Sequence, residues 1–142
     1  MLFYFMRKKK VFISYRFTGE DPEELNRTIS QIHDAIGKAG HEHYSTIFDS
    51  KQFASEKWSG KQIMGKAFKE IDKSDLILFF VNSPQVSPGM LVELGYSLAK
   101  KKRILLAIQK EIKDIIFRRQ INEIIEFDDL ADLKNRLCKI RL

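Results

Sequence analysis

The sequence predicts an α/β domain: a doubly wound, mostly parallel five-stranded sheet with helices on both faces. Three observations carry this prediction. Short β-branched and aromatic runs alternate with helically spaced apolar positions along the whole chain. Two of those runs, 76–81 and 104–108, are apolar throughout, which marks strands covered on both faces. The 142 residues suffice for one such sheet with its helices and leave little room for a second domain.

The elements follow in order. Residues 1–10 read as a basic N-terminal extension or the start of the first strand. Val11-Phe12-Ile13-Ser14-Tyr15 is that strand, ending near Arg16. Asp21 suits a helix N-cap, Pro22 the first helical position, and Glu24 the partner residue of a capping box. Leu25, Ile29, Ile32 and Ile36 continue that helix, and Gly40 stops it. Residues 41–48 form a strand candidate, and the polar stretch 49–60, with Phe53 and Trp58 interspersed, reads as a loop. Ile63, Ala67, Phe68 and Ile71 mark a helix before the buried strand 76–81. Pro84, Ser87 and Pro88 make 82–88 a loop, and 89–100 a helix with Leu91, Leu94 and Leu98 on its apolar side. Strand 104–108, a helix over 110–119, a fifth strand over 121–127 and a last helix capped by Asp128 or Asp129 complete the domain.

Composition excludes several classes. With 44% hydrophobic residues the chain is globular, and no apolar run approaches the length of a membrane span. The six-residue MLFYFM precedes its basic run, the wrong order and length for a secretory signal. The single cysteine, Cys138, excludes a disulfide framework or a multi-cysteine metal site and fits a reducing cytoplasm. The formal charge of +6 suggests acidic partners, with small phosphate-bearing molecules favoured over nucleic acid.

Some patterns carry no chemistry. Gly60 to Lys66 matches most of a P-loop, but Ala67 lacks the hydroxyl, no strand precedes it, and the stretch reads as helix. His41 and His43 lack further ligand signals, so no metal is expected. Cys138 reads as a packed thiol, and Lys100 to Arg103 as a solvated helix end.

In a doubly wound sheet, ligands bind at the carboxyl ends of the strands. The sharpest feature there is Ser87-Pro88-Gly89-Met90-Leu91-Val92-Glu93-Leu94-Gly95-Tyr96. Gly89 opens a helix directly after a buried strand, so free backbone N–H groups and the positive dipole end make an anion pocket, to which Ser87 adds a hydroxyl. Glu93, about one turn in, either reaches the crevice or simply complements the helix start.

Together with Lys73-Ser74-Asp75-Leu76-Ile77-Leu78 and Lys102-Arg103-Ile104-Leu105, this segment resembles the nucleoside 2-deoxyribosyltransferase family over roughly residues 11–108. The closer resemblance is to the branch of 2′-deoxynucleoside 5′-phosphate N-hydrolases and nucleotide N-glycosidases. The resemblance implies a flavodoxin- or Rossmann-like fold and a homodimer without a cofactor, acting on a small nucleotide. It implies Glu93 as the catalytic carboxylate and a 5′-phosphate site built from Ser14, Arg16, Ser87 and Gly89. Tyr15, Phe17 and Asn82 are candidates for base or sugar contacts, the two aromatics equally for core or rim packing. The expected reaction is cleavage of the base–sugar bond of a (deoxy)nucleoside 5′-monophosphate through the glutamate, giving free base and sugar 5-phosphate.

The sequence departs from that family at Ala67, where the family has an aspartate; Glu70 lies one helical turn on. Arg118 and Arg119 read as phosphate ligands or a solvated helix end. Three alternatives stand beside the hydrolase. V-F-I-S-Y-R with Gly19-Glu20-Asp21 is also similar to TIR-like domains, whose NAD-cleaving members place a glutamate in a comparable helix. A nucleotide-binding module without activity is the second, and deoxyribosyl transfer between bases the third.

Overall fold

The computed structural model describes residues 8–85 and 87–142. Its elements are β1 (Lys10–Ser14), α1 (Pro22–Lys38), β2 (Glu42–Tyr44), a 3-10 turn (Thr46–Asp49), α2 (Ser50–Ser55) and α3 (Gly60–Lys73), then β3 (Leu76–Val81), α4 (Pro88–Ala99), β4 (Ile104–Gln109), α5 (Ile116–Gln120), β5 (Glu123–Phe127) and α6 (Leu130–Leu137). Five strands form one sheet in the order β2-β1-β3-β4-β5, and every pairing is parallel. The chain leaves β1 toward one edge and returns on its other side as β3. The topological switch therefore lies between β1 and β3, whose carboxyl ends are Ser14 and Val81.

The period-two alternation of the central strands sorts two cores. Val11, Ile13, Leu76, Leu78 and Phe80 face α1 and α6, where Ile29, Ile32, Leu133 and Leu137 meet them. Phe12, Ile77, Phe79 and Val81 face α3 and α4, and there pack against Ala67, Ile71, Met90 and Leu94. The same alternation turns the last β1 residue, Ser14, toward the α4 side.

Four expectations need correction. The strand expected over 41–48 pairs only through Glu42–Tyr44; Ser45 then turns inward, its hydroxyl bonded to buried His33 at 2.8 Å. Residues 49–60 are not all loop: α2 forms at Ser50–Ser55 and turns Phe53 inward. The helix expected over 110–119 shrinks to Ile116–Gln120. Ile112 and Ile115 both enter the core, and Arg118 Nε donates to the Ile112 carbonyl at 2.6 Å, holding 110–115 as a turn. At α1, Asp21 is the N-cap and Pro22 opens the helix, but no side-chain cap bond forms. A complete capping box stands instead at α3, between Ser59 and Gln62. The P-loop-like stretch lies inside α3. Most of the N-terminal basic extension, residues 1–7, lies outside the described residues.

Candidate active site

α4 is the next element after β3 and begins at Pro88, seven positions past Val81. Ser87 caps it, its Oγ accepting from the Met90 N–H at 3.4 Å, and Pro88 occupies the first turn, where its missing N–H costs nothing. Glu93 lies about one and a half turns along and points back toward the sheet. There it meets Ser14, whose hydroxyl donates to Glu93 Oε1 at 2.7 Å. The glutamate is only 9% exposed. Burial pushes its carboxyl up to about 7, against the opposing effect of the Ser14 hydrogen bond. No cation pairs with it among the described residues. A carboxylate so placed costs free energy in its charged form.

Glu93 forms part of the wall of a cavity of about 440 Å³, the size of a small-molecule site. Ser87 and Gly89 bring the α4 N-terminus to the same space. Tyr15 and Phe17 line it from the segment after β1, Tyr15 with its hydroxyl 3.3 Å from Thr46 Oγ1 and Phe17 58% exposed at the rim. The rest of the wall is largely apolar: Phe53, Trp58, Ile63, Met64 and Ala67. Phe53 and Trp58 form a tilted aromatic pair with ring centroids 4.8 Å apart. Burial raises the Tyr15 hydroxyl to about 12, so it stays protonated.

The structure thus gathers Ser14, Tyr15, Phe17, Ser87, Gly89 and Glu93 at one place. Ser14 directs its hydroxyl to Glu93 and not into open space. Arg16 and Asn82 line a small adjoining crevice instead, sharing Met90 with the cavity. There Arg16 Nη1 donates to Glu20 at 3.2 Å and to Ser83 Oγ at 3.4 Å. Gly19, at φ +83°, leaves room for this packing, since a Cβ would stand 2.8 Å from Arg16 Nη2. Glu70 is turned away, buried against Lys10 at 2.6 Å and Lys66 at 3.2 Å. Arg118 and Arg119 pair with Glu126 and Asp114. His43 pairs with His33, and His41 with the Ile140 carbonyl, so the two do not converge.

The α2 wall escapes a reading of the sequence because a polar stretch with two aromatics looks like a loop. Its readable signal is Phe53 and Trp58 themselves, large rings in an otherwise hydrophilic segment.

A buried acid beside a helix N-terminus, over a cavity at the switch point of a parallel sheet, defines a doubly wound domain built around a small-molecule site. The chain belongs to the nucleoside 2-deoxyribosyltransferase family, whose model matches residues 14–126. Among solved structures it is similar to the CMP N-glycosidase BcmB of Clostridium botulinum, with 22% identity, 91% of this chain and 97% of that one covered, and a TM-score of 0.67. It is also similar to a 2-deoxyribosyltransferase of Bacillus psychrosaccharolyticus, at 21% identity, 89% and 90% coverage and a TM-score of 0.66. A conserved protein of Enterococcus faecalis aligns at 13% identity, 92% and 98% coverage and a TM-score of 0.58. These likenesses establish the shared fold. No curated protein matches the sequence significantly.

Proposed function

We propose that the protein is an N-glycosidase that cleaves the base–sugar bond of a nucleoside 5′-monophosphate, with Glu93 as the attacking carboxylate. The observation that carries this is the Ser14–Glu93 pair buried in the cavity wall. Ser14 occupies Oε1, which leaves Oε2 for the anomeric carbon. Breaking the glycosidic bond develops positive charge on the sugar, and a carboxylate in poorly solvated surroundings stabilises that charge strongly. The covalent glycosyl ester then yields to water, releasing the sugar 5-phosphate. The described wall is lined largely by apolar side chains, so bulk water has little share in the first step.

The α4 N-terminus, with the Gly89 backbone and Ser87, suits the phosphate. Arg16 joins it by exchanging Glu20 for a phosphate oxygen, and its planar fork fits that partner. Phe17 at the rim and the Phe53–Trp58 pair suit the base. Similarity to a protein described as a CMP N-glycosidase supports hydrolysis of a nucleotide. We also propose a homodimer formed through α4, where Val92 and Leu98 are 48% and 40% exposed on a helix that buries Met90, Glu93, Leu94 and Ser97 against its own sheet.

The test is release of free base from a panel of nucleoside 5′-monophosphates and the matching nucleosides, followed by chromatography. Release that depends on the phosphate is expected. A folded protein that releases base from no member of the panel refutes the proposal.

A further inference from the structure

The leaving base needs somewhere to put the electron pair of the broken C1′–N bond. A neutral base departs as an anion unless an acid protonates it, and a positioned acid is worth about 10²–10⁴-fold. Among the described residues lining the cavity, only Tyr15 and Glu93 are titratable. Glu93 is committed to the sugar carbon, and the Tyr15 hydroxyl lies against Thr46. α2, α3 and the segment between them offer Ser50, Phe53, Ala54, Trp58, Ile63, Met64 and Ala67; the Ser50 hydroxyl donates to the Ile47 carbonyl at 2.8 Å, and none of the seven is an acid. An anionic base expelled against those side chains would also be poorly solvated.

The same wall suits the opposite charge. Four aromatic rings, Tyr15, Phe17, Phe53 and Trp58, line the cavity, and aromatic faces attract cations. The buried Glu93 has no cationic partner among the described residues, so a positive ligand supplies the missing counter-charge.

Building on the glycosidase reading above, we propose that the preferred substrate is a nucleotide whose base is already cationic, such as a pyridinium or an N-alkylated purinium ring. The step then balances without an acid. Glu93 Oε2 bonds to C1′, and the C1′–N bond breaks. Its electron pair cancels the positive charge on the ring nitrogen, and a neutral base leaves along an apolar wall. Water then attacks C1′, the ester bond to Glu93 breaks, and the water proton passes to solvent.

Matched pairs isolate the charge: 7-methylguanosine 5′-monophosphate against GMP, each in ribo and deoxyribo form, and nicotinamide mononucleotide against its uncharged 1,4-dihydro form. Base release by wild type is measured, with the release that remains in Glu93→Gln subtracted as background. We expect kcat/KM for the cationic member of at least one pair to exceed that of its neutral partner by about 100-fold or more, the range an absent acid would cost. The pH dependence separates the cases further. The cationic substrate slows as Glu93 protonates below neutrality, whereas a neutral base, drawing its proton from solution, does not show that fall. Neutral members cleaved within tenfold of their cationic partners overturn the inference and leave the glycosidase reading standing. No release from any member overturns both.

Discussion

Replacing Glu93 by Gln is expected to stabilise the protein at alkaline pH and hardly at all at acid pH. The Glu93 carboxyl stands at about 7 in the folded chain against an ordinary 4.5. A carboxyl raised on folding contributes stability below its unfolded value, and that contribution is lost as pH rises through the folded value. Between pH 5 and pH 8 the loss amounts to about 2–3 kcal/mol, at about 1.4 kcal/mol per pH unit. For a domain of this size that corresponds to about 5–10 °C in Tm. Gln keeps an oxygen to accept the Ser14 hydrogen bond and carries no charge. Thermal melts of both proteins at the two pH values read the effect directly, because titrations elsewhere cancel in the difference. The gap between variant and wild type should widen by that amount at pH 8. A gap that is the same at both pH values would refute the claim that Glu93 is a buried, uncompensated carboxylate.

Removing the hydroxyl in Ser14→Ala should push the Glu93 carboxyl higher still, since a hydrogen bond to a charged group is worth about 1.5–3 kcal/mol. The acid limb of kcat/KM should move up by about 1–2 pH units, and an unmoved limb would deny the coupling. His33 runs the other way: burial and the neighbouring His43 hold it down at about 3, with both ring nitrogens engaged. Its neutral form stabilises the fold, and that contribution is lost as pH falls below about 6.5, by about 2–3 kcal/mol at pH 4.5. His33→Gln should flatten this part of the stability curve, which denaturant titrations at several pH values will show. Val92→Glu should yield a monomer in light scattering if α4 is the dimer face, and an unchanged mass would exclude that face.

The fold was legible because its cues are local. The apolar runs of β3 and β4 and the spacing of α1 need no tertiary context to be read. Glu93 is a different case: its spacing alone fits a crevice residue or a helix-start carboxylate equally, and the resemblance of segment 87–96 to the family favours the crevice. Other features depend on long-range contacts. The shortening of β2 follows from the Ser45 bond to His33, twelve residues away in sequence. The turn at 110–115 follows from two isoleucines entering a core built elsewhere. Nothing in the sequence shows that Arg16, the proposed phosphate ligand, rests between Glu20 and Ser83. The aromatic wall of the cavity is the largest omission, because α2 is only six residues long and its one buried ring gives no periodicity.

The central claim is that Glu93 performs the bond cleavage. Its most direct measurement is kcat/KM for base release from the best nucleotide substrate, compared between wild type and Glu93→Gln. Removing an attacking group of this kind costs at least about 10³-fold. A loss of that size with nucleotide binding retained is expected. A Glu93→Gln protein that releases base within tenfold of wild type would contradict it.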